Sequence, residues 1–506
     1  MEINKNRLRS FFSNPVLWGI LFVYVLVLGY TLLHHELWGD ELHSWNIAKA
    51  SHSFSDLISN TRYEGHPPLW YSILWVVSKF SHDVSYIQLV QFIIAALVVF
   101  LLLFFSPFPL IAKALMPFGY FFLFEYGVIS RNYAIAVLLT FCLCILLQKN
   151  LKQKLFLYYA LLFLLSNVHL LALLLALSLH LYFLFDEYIK NKNKAAFLKH
   201  GFIGIILLLP SLYFIFPPPD SSLGVDYWLQ RWEPDQLSVI VKGPVKAFVP
   251  IPAWWNYHFW NTEFLLEAQY RWHFLKWIIL LLSTGLVILA TLILRKNKNC
   301  VILFLGFLAL IFFVSIFLPF ANARQTGFIY VGFLAALWLC RYRNSVTLFQ
   351  GKIITSLLII QLIGGVFASL KDIQLPFSNA SYVKEMVKKL PPQTKILTDY
   401  WCLNTLSAFM DRSFYCIDLQ KETSFLLWNK ESTAKTQAPN PYSTGIKNYF
   451  QKEGIQQAYM ISILSPQVIS QGDPQLFKSY KVNLVDQKEG AIEKSSNVYL
   501  YQITAY

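Results

Sequence analysis

The feature that most constrains this chain is a series of apolar runs, most of them long enough to cross a lipid bilayer as a helix. Lipid offers no hydrogen bonds, so a segment that crosses it must pair its backbone groups internally, as a helix does. By the usual length criterion there are about 11 such runs. They occupy residues 15–33, 86–105, 110–126, 133–147, 155–166, 168–185, 202–216, 275–294, 301–320, 327–340 and 353–370. The sequence therefore predicts an α-helical polytopic membrane protein.

Composition and charge agree with this prediction. Hydrophobic residues make up 56% of the 506 residues and charged residues only 14%, whereas a soluble domain is about 25% charged. A formal net charge of +14 would suggest a nucleic-acid partner in a soluble protein. Here the lysines and arginines form short clusters between apolar runs, which is typical of cytoplasmic loops. We therefore expect no nucleic-acid partner.

The basic residues also predict an orientation. Lys5, Arg7 and Arg9 precede the first run and place the N-terminus in the cytoplasm. No small-residue cleavage site follows that run, so we expect a retained first span. Dividing the stretch 155–185 into two short helices near Ser166 puts every strong basic cluster on the cytoplasmic side. The same count puts the C-terminus outside.

Three segments are predicted to lie outside the cytoplasm. The first external loop covers residues 34–85 and the second covers 217–273. The remainder, 371–506, alternates strand-like stretches such as KILTDYW and SFYCIDL with helix-like stretches such as NTLSAFM. We expect a transmembrane domain over 1–370, followed by a small extracytoplasmic α/β domain over 371–506.

The six cysteines show no zinc-binding spacing. Four of them lie in or near apolar runs and are expected to be small buried hydrophobic residues. Cys402 and Cys416 lie in the polar tail, on what we predict to be neighbouring strands. Because disulfides form outside the cytoplasm, we predict that these two can pair.

The first external loop opens with ELWGDELHSW, in which Asp40 and Glu41 follow the first span by a few residues. Acidic side chains at a dry membrane surface are costly, so the pair suggests a function. A pair of solvated loop carboxylates is the simpler alternative. The aromatic and histidine neighbours Trp38, His43 and Trp45 favour a structured site.

The same loop contains EGHPPLWY, where Pro67 and Pro68 restrict the backbone and exclude a helix before them. They hold Glu64 and His66 at the start of an amphipathic stretch, LWYSILWVVSKF, suited to the membrane surface. Glu64 and His66 could bind a metal or a phosphate. Two ligands alone do not define a metal site, so a structural role stays open.

Together these motifs resemble the GT-C superfamily of membrane glycosyltransferases. The motifs are Asp40-Glu41 after the first span, the stretch from Glu64 to Tyr71, and SRNYA from Ser130 to Ala134. The pattern is most similar to bacterial enzymes of the protein O-mannosyltransferase and aminoarabinose transferase type. About the first 190 residues carry the resemblance well; the later spans match in topology only.

The resemblance implies an enzyme of a bacterial inner or plasma membrane that moves a sugar from a polyprenyl-phosphate donor to an acceptor hydroxyl. The acceptor would be a glycan, lipid or protein on the non-cytoplasmic side, and the configuration at the sugar would invert. Asp40 would be the general base, with Glu41 as its neighbour and substitute. The departing phosphate would need cations or a divalent metal ion.

Several side chains are candidates for the donor phosphate or for a metal ion: Glu64, His66, Arg131, His169 and Arg324. A metal ion would lie at Glu64 and His66. For Arg324 the alternative is an arginine that extends to the membrane interface, and for His169 it is a packed histidine. In the second external loop, Tyr227, Trp228 and Trp232 suit contact with a sugar or with the isoprenoid chain.

Other function classes fit less well. A transporter or flippase would be expected to carry ionisable residues deep within its spans and repeated halves, and neither is evident. A ligase or polymerase of surface polysaccharide is closer in chemistry, but its catalytic residues would be expected in a late external loop. A sensor that binds a ligand through its tail is a third alternative, although the tail has no catalytic or metal-binding motif.

Overall fold

The computed structural model describes residues 14–148, 154–224, 234–318, 320, 322–343 and 348–506. These residues form two compact units. The membrane unit holds the described residues up to Leu33, those from Val90 to Phe216 and those from 234 to Lys371. The second unit, called the sheet unit below, holds His34–Leu89, Pro217–Gly224 and Asp372–Tyr506.

Long apolar helices dominate the structure. Among the described residues, eight helices are long and apolar enough to cross a membrane. Their bounds are Pro15–His34, Ser85–Phe105, Leu170–Asn191, Lys194–Ile215, Leu275–Leu294, Lys298–Ser315, Ala323–Arg343 and Leu348–Gln374. The predicted polytopic helical architecture is confirmed, whereas the number of spans stays a prediction.

The shorter predicted spans have two different outcomes. Tyr133–Leu147 and Leu155–Ser166 are single helices of 15 and 12 residues, and the predicted break near Ser166 is present because the next helix begins at Leu170. The run 110–126, in contrast, is wrong as a continuous helix. It consists of the helix Leu110–Leu115, a 3₁₀ turn and a π-helix at Tyr120–Glu125. Proline within the 3₁₀ turn lacks the backbone donor that an unbroken helix would use.

Two further helices complete the membrane unit, Pro234–Phe248 and Phe264–Arg271. Large side chains such as Trp338, Phe121 and Phe124 are fully buried in its interior. Apolar side chains also cover much of its surface, as on the helix Lys194–Ile215, which is expected where the surrounding solvent is lipid.

The sheet unit is built on a six-stranded sheet in the order β3-β2-β1-β4-β6-β5. The strands are β1 Ile396–Thr398, β2 Phe414–Cys416, β3 Lys421–Thr423, β4 Gln457–Ser462, β5 Tyr480–Lys488 and β6 Val498–Ala505. β1 pairs in parallel with β2 and β4, while the outer pairs are antiparallel. The predicted α/β domain is therefore confirmed.

Helices lie between the strands and in the first external loop. Those of the tail are Val383–Lys388, Leu403–Met410, Lys430–Thr436, Pro441–Glu453, Pro466–Gly472 and Pro474–Ser479; those of the loop are Gly39–Ala50, Phe54–Thr61 and Leu69–Ser78. Side chains of β6 alternate between two apolar clusters, with Tyr499 and Tyr501 in one and Val498 and Leu500 in the other. This period of two, with both faces buried, explains why the strand is apolar along its length.

One prediction about the tail is wrong. Cys402 is the residue before the helix Leu403–Met410 rather than part of a strand, and Cys416 ends β2. Both are free, buried thiols in this structure, and the disulfide between them stays a prediction. The two side chains instead belong to one apolar cluster of the sheet unit.

Candidate active site

Asp40 lies in the first turn of the helix Gly39–Ala50, called the first-loop helix below. Eight of the 12 residues of this helix are buried, whereas Asp40 itself is half-buried. A carboxylate in the first turn of a helix is favoured by the helix dipole, which places partial positive charge there. The hydroxyl of Ser44 donates to the backbone carbonyl of Asp40 at 3.0 Å, which adds a contact within this turn.

Glu41, the neighbour of Asp40, is fully buried. Its Oε2 accepts a hydrogen bond from the backbone N–H of Trp38 at 3.0 Å, and it lies 3.5 Å from Nε2 of His35. Nδ1 of His35 in turn contacts both carboxylate oxygens of Asp372, at 3.0 and 3.1 Å. The sheet unit thus contains a buried row of carboxylate, imidazole and carboxylate, and in it Glu41 caps the first-loop helix.

The charge state of this row follows from its partners. Burial by itself lowers the pKa of His35, but the charges of Asp372 and Glu41 outweigh this effect and raise the pKa to about 10. His35 is therefore a buried imidazolium between two acidic groups. Since both oxygens of Asp372 and the buried Glu41 face His35, this row has a structural role, and Asp40 is the less buried carboxylate of the acidic pair.

Glu64 and His43 form a second polar row in the sheet unit. Nε2 of His43 lies 2.9 Å from Oε1 of Glu64, and the hydroxyl of Tyr71 donates to Oε2 of Glu64 at 3.1 Å. Nδ1 of His43 lies 3.2 Å from Oδ1 of Asn404, in the helix Leu403–Met410. The sequence placed His43 only as a neighbour of Asp40, and nothing in the sequence marked Asn404.

A metal ion at Glu64 and His66 does not fit this arrangement well. Gly65, with φ of 64°, turns the chain between the two residues. Both oxygens of Glu64 accept hydrogen bonds within the protein. Across the described part of the chain, no group of three or more His, Cys, Asp or Glu side chains could hold a metal ion.

A separate cluster of charges lies in the membrane unit. Glu125 ends the π-helix and is buried; its Oε2 accepts from the hydroxyl of Tyr120 at 3.0 Å and from the indole N–H of Trp260 at 3.2 Å. The guanidinium of Arg324 lies over the ring of the same Trp260, 5.9 Å from its centroid. The ammonium of Lys246 donates to the carbonyl of Asn261 at 2.6 Å.

This cluster contains residues that the sequence did not reveal. Glu125 stands in the apolar run FFLFEYG, and an ionisable residue in such a run is a signal that could have been used. Lys246 is also buried, and burial lowers its pKa to about 8 even though the charges of Glu263 and Glu125 oppose this shift. Burial raises the pKa of Glu263 to about 7. Local sequence gave no indication that these groups belong with Arg324.

The other predicted residues have varied surroundings. His169 is the residue before the helix Leu170–Asn191, and its Nδ1 accepts from the backbone N–H of Ala172 at 3.1 Å. Its ring lies 4.6 Å from the rings of both Tyr133 and Phe328, so the packed alternative describes it well. Arg131 is half-buried in the turn before Tyr133. Tyr227, Trp228 and Trp232 lie outside the described residues.

Comparisons with family models and with curated proteins give no match. Solved structures do match. The chain is similar to the crystal structure of ArnT from Cupriavidus metallidurans bound to undecaprenyl phosphate, with 12% identity, a TM-score of 0.52, and coverage of 97% of this chain and 98% of that chain. The apo structure of the same protein matches with 11% identity, a TM-score of 0.49 and coverage of 96% and 97%.

The likeness to the first structure extends over nearly the full length of both chains. It shows that this chain shares the overall fold of that structure. The protein is thus an integral membrane protein with a helical membrane unit and a small α/β domain.

Proposed function

We propose that the protein is a glycosyltransferase that uses a polyprenyl-phosphate sugar as donor. The observation that carries this proposal is Asp40, a half-buried carboxylate at the start of a helix whose next eight residues are buried, in a chain that shares the fold of ArnT. A polyprenyl-phosphate lipid as partner is supported by the ArnT structure with bound undecaprenyl phosphate.

In the proposed reaction, Asp40 accepts the proton of the acceptor hydroxyl as the oxygen attacks the anomeric carbon. The new carbon–oxygen bond forms as the bond from the anomeric carbon to the phosphate oxygen breaks, and polyprenyl phosphate leaves. A single displacement of this kind inverts the anomeric configuration. The first-loop helix keeps the base in place, which is the main requirement for general-base catalysis.

The departing phosphate gains negative charge and needs fixed cations. Within the membrane unit, Arg324 and Lys246 are our candidates for binding the phosphate of a lipid-linked donor, because a guanidinium and an ammonium bind phosphate oxygens strongly. The buried Glu125 would hold the two cations in the membrane unit when no donor is bound. We place the reaction on the non-cytoplasmic side, with the N-terminus in the cytoplasm, as the distribution of basic residues predicts.

The first test is Asp40→Asn. The amide keeps the shape of the side chain but cannot accept the proton, so we expect transfer to fall by about a hundred- to ten-thousand-fold, while donor binding stays close to that of the wild type. Transfer is measured as release of polyprenyl phosphate from a polyprenyl-phosphate sugar by protein in nanodiscs. Full activity of Asp40→Asn would refute the assignment of the base.

Arg324→Ala separates binding from chemistry. We expect it to weaken donor binding as well as transfer, by roughly 1.5–3 kcal/mol for the lost charged contact. Arg271→Ala is the matched control, because Arg271 is an exposed arginine of the same unit. Equal effects of the two substitutions on donor affinity would contradict a specific phosphate contact at Arg324.

A further inference from the structure

The helix that carries Asp40 is held by the tail of the chain. Its residues His43, Asn46 and Lys49 are spaced by three and therefore lie along one face of the helix. All three contact the segment from Asn404 to Asp411, more than 350 residues later (|i−j| of 358 to 362). The C-terminal domain thus holds the first-loop helix along one whole side.

The individual contacts are short. The side-chain amide of Asn46 donates to the backbone carbonyl of Asn404 at 2.8 Å. The ammonium of Lys49 donates to Oδ1 of Asp411 at 2.6 Å. His43 reaches the side chain of the same Asn404. Asn404 therefore receives contacts from two successive turns of the first-loop helix, through its backbone and through its side chain.

The partners of His43 determine its protonation. Nε2 faces a carboxylate oxygen of Glu64 and Nδ1 faces the carbonyl oxygen of the Asn404 side chain. With the amide of Asn404 placed so that its oxygen faces the ring, both partner atoms accept hydrogen bonds, and a ring that donates from both nitrogens is an imidazolium. His43 and the side chain of Glu64 are nearly inaccessible to solvent, so the ring has little water to stabilise its charge.

The charges around His43 agree with this state. Burial lowers the pKa of His43, but the charge of Glu64, the hydrogen bonds from Glu64 and Asn404 and the charge of Asp40 together raise it above its ordinary value. From the tail, the groups that face His43 are the neutral Asn404 and the Trp428 ring, at 5.9 Å between centroids. The charged groups near it are thus the carboxylates of Glu64 and Asp40.

We propose that His43 is a protonated positioning residue for Asp40 and that Asn404 acts on Asp40 through it. Asp40 and His43 are three residues apart on one helix face, so a ring fixed at both nitrogens fixes the turn that presents the carboxylate. The C-terminal domain would thereby set the geometry of the base instead of binding substrate itself. This inference rests on the proposed function for its consequence on transfer, but not for the charge state of His43.

The test compares Asn404→Ala with Asn404→Asp in the full-length protein. Alanine removes the acceptor, and we expect kcat to fall about tenfold with KM for a polyprenyl-phosphate sugar changed less than threefold. Aspartate still accepts from Nδ1, and we expect it to restore kcat to within threefold of the wild type. Lys447→Ala, at an exposed site in the same domain, controls for surface substitution. Equal loss in both Asn404 variants, or a change in KM as large as that in kcat, would overturn the proposal.

A second measurement does not depend on activity. Histidine side chains labelled with ¹⁵N report protonation directly, and the signal of His43 is identified as the one missing in His43→Gln. We expect an imidazolium signal at pH 7.5 in the wild type and a fall in its midpoint pH in Asn404→Ala. A neutral His43 at pH 7.5 would overturn the proposal. If the protein transferred no sugar at all, the proposed function would fail, and this measurement would still decide the charge state.

Discussion

In both the first-loop helix Gly39–Ala50 and the helix Lys194–Ile215 of the membrane unit, the usual burial of apolar side chains and exposure of polar ones is reversed. The first is polar, yet eight of its 12 residues are buried, among them Glu41, His43 and Asn46. The second is apolar over most of its length, yet only five of its 22 residues are buried. The difference shows that burial here follows the surrounding solvent and the available partners rather than hydrophobicity alone.

The physical reason differs for the two helices. Lipid is as apolar as the side chains that face it, so Ile205 and Leu209 can stay exposed without cost. A buried polar side chain must instead find a partner of its own. The first-loop helix finds such partners in remote parts of the chain, through Asp372 by way of His35 and through Asn404 directly. Three predictions test this comparison, from the largest effect to the smallest.

The largest effect is expected at the buried row of the sheet unit. Asp372→Ala removes the carboxylate that contacts His35 most closely, and breaking a buried pair in this way costs about 3–5 kcal/mol. Lys395→Ala is the control, because the pair of Lys395 and Glu453 is partly exposed and should contribute at most about 1 kcal/mol. Thermal unfolding of the purified variants measures both. A similarly small loss of stability in the two variants would show that the buried row contributes little to the free energy of unfolding.

The next effect concerns the exposed apolar helix. Ile205 is 58% exposed near the middle of Lys194–Ile215, and we expect Ile205→Arg to cost about 2.5–3.5 kcal/mol because the charge would face hydrocarbon. On a surface that faced water, the same substitution would stay within about 0.5 kcal/mol. Membrane insertion and thermal stability are compared with those of Ile205→Leu. An Ile205→Arg variant that behaves like Ile205→Leu would contradict contact of this face with lipid.

The smallest effect is a pH dependence in the sheet unit. Asp399 follows β1 and Asp418 follows β2, and both are buried; Asp399 accepts hydrogen bonds from Ser462 and from the backbone of Cys402. Burial raises the pKa of Asp399 to about 6. Burial, with the charge of Asp399, raises the pKa of Asp418 to about 8.

A raised acid pKa means that the folded state binds more protons than the unfolded state between about pH 4 and pH 8, so stability falls as the pH rises through this window. From pH 6 to pH 7 we expect a loss of about 1 kcal/mol from Asp418. Asp418→Asn should reduce this slope, whereas Glu422→Gln, at an exposed position of β3, should leave it unchanged. Stability that rises between pH 6 and pH 8 would contradict the assignment.

Much of the fold could be predicted because its signals are local. The strands β1, β2, β4 and β6 were predicted from strand-like stretches of sequence, and the break near Ser166 from the length of the apolar run 155–185. The interruption of the run 110–126 was missed, because its composition stays apolar through the π-helix that ends at Glu125. The sequence identified Arg131 and Arg324 as candidate cations, but it did not predict which residues surround them.

The candidate site divides in the same way. Asp40 could be singled out because it belongs to an acidic pair just after the first span. Glu64 and His66 could be singled out because they directly precede Pro67-Pro68. The structural role of Glu41 could not be predicted, since it depends on a histidine between Glu41 and the distant Asp372. The predicted strand position of Cys402 was wrong for a related reason: spacing in the tail does not specify which residues begin helices and which lie on strands.

The sequence by itself determined that the chain folds in a membrane and carries an acidic first loop, because the bilayer accepts only long apolar helices and so leaves a plain pattern in the residues. Only the tertiary structure decided which polar groups hold that loop. His43 meets Asn404 across 361 positions and His35 meets Asp372 across 337. Such pairs leave no periodic trace in the chain, since they arise from the packing of whole segments, and that packing buries Glu41 while leaving Asp40 half-buried.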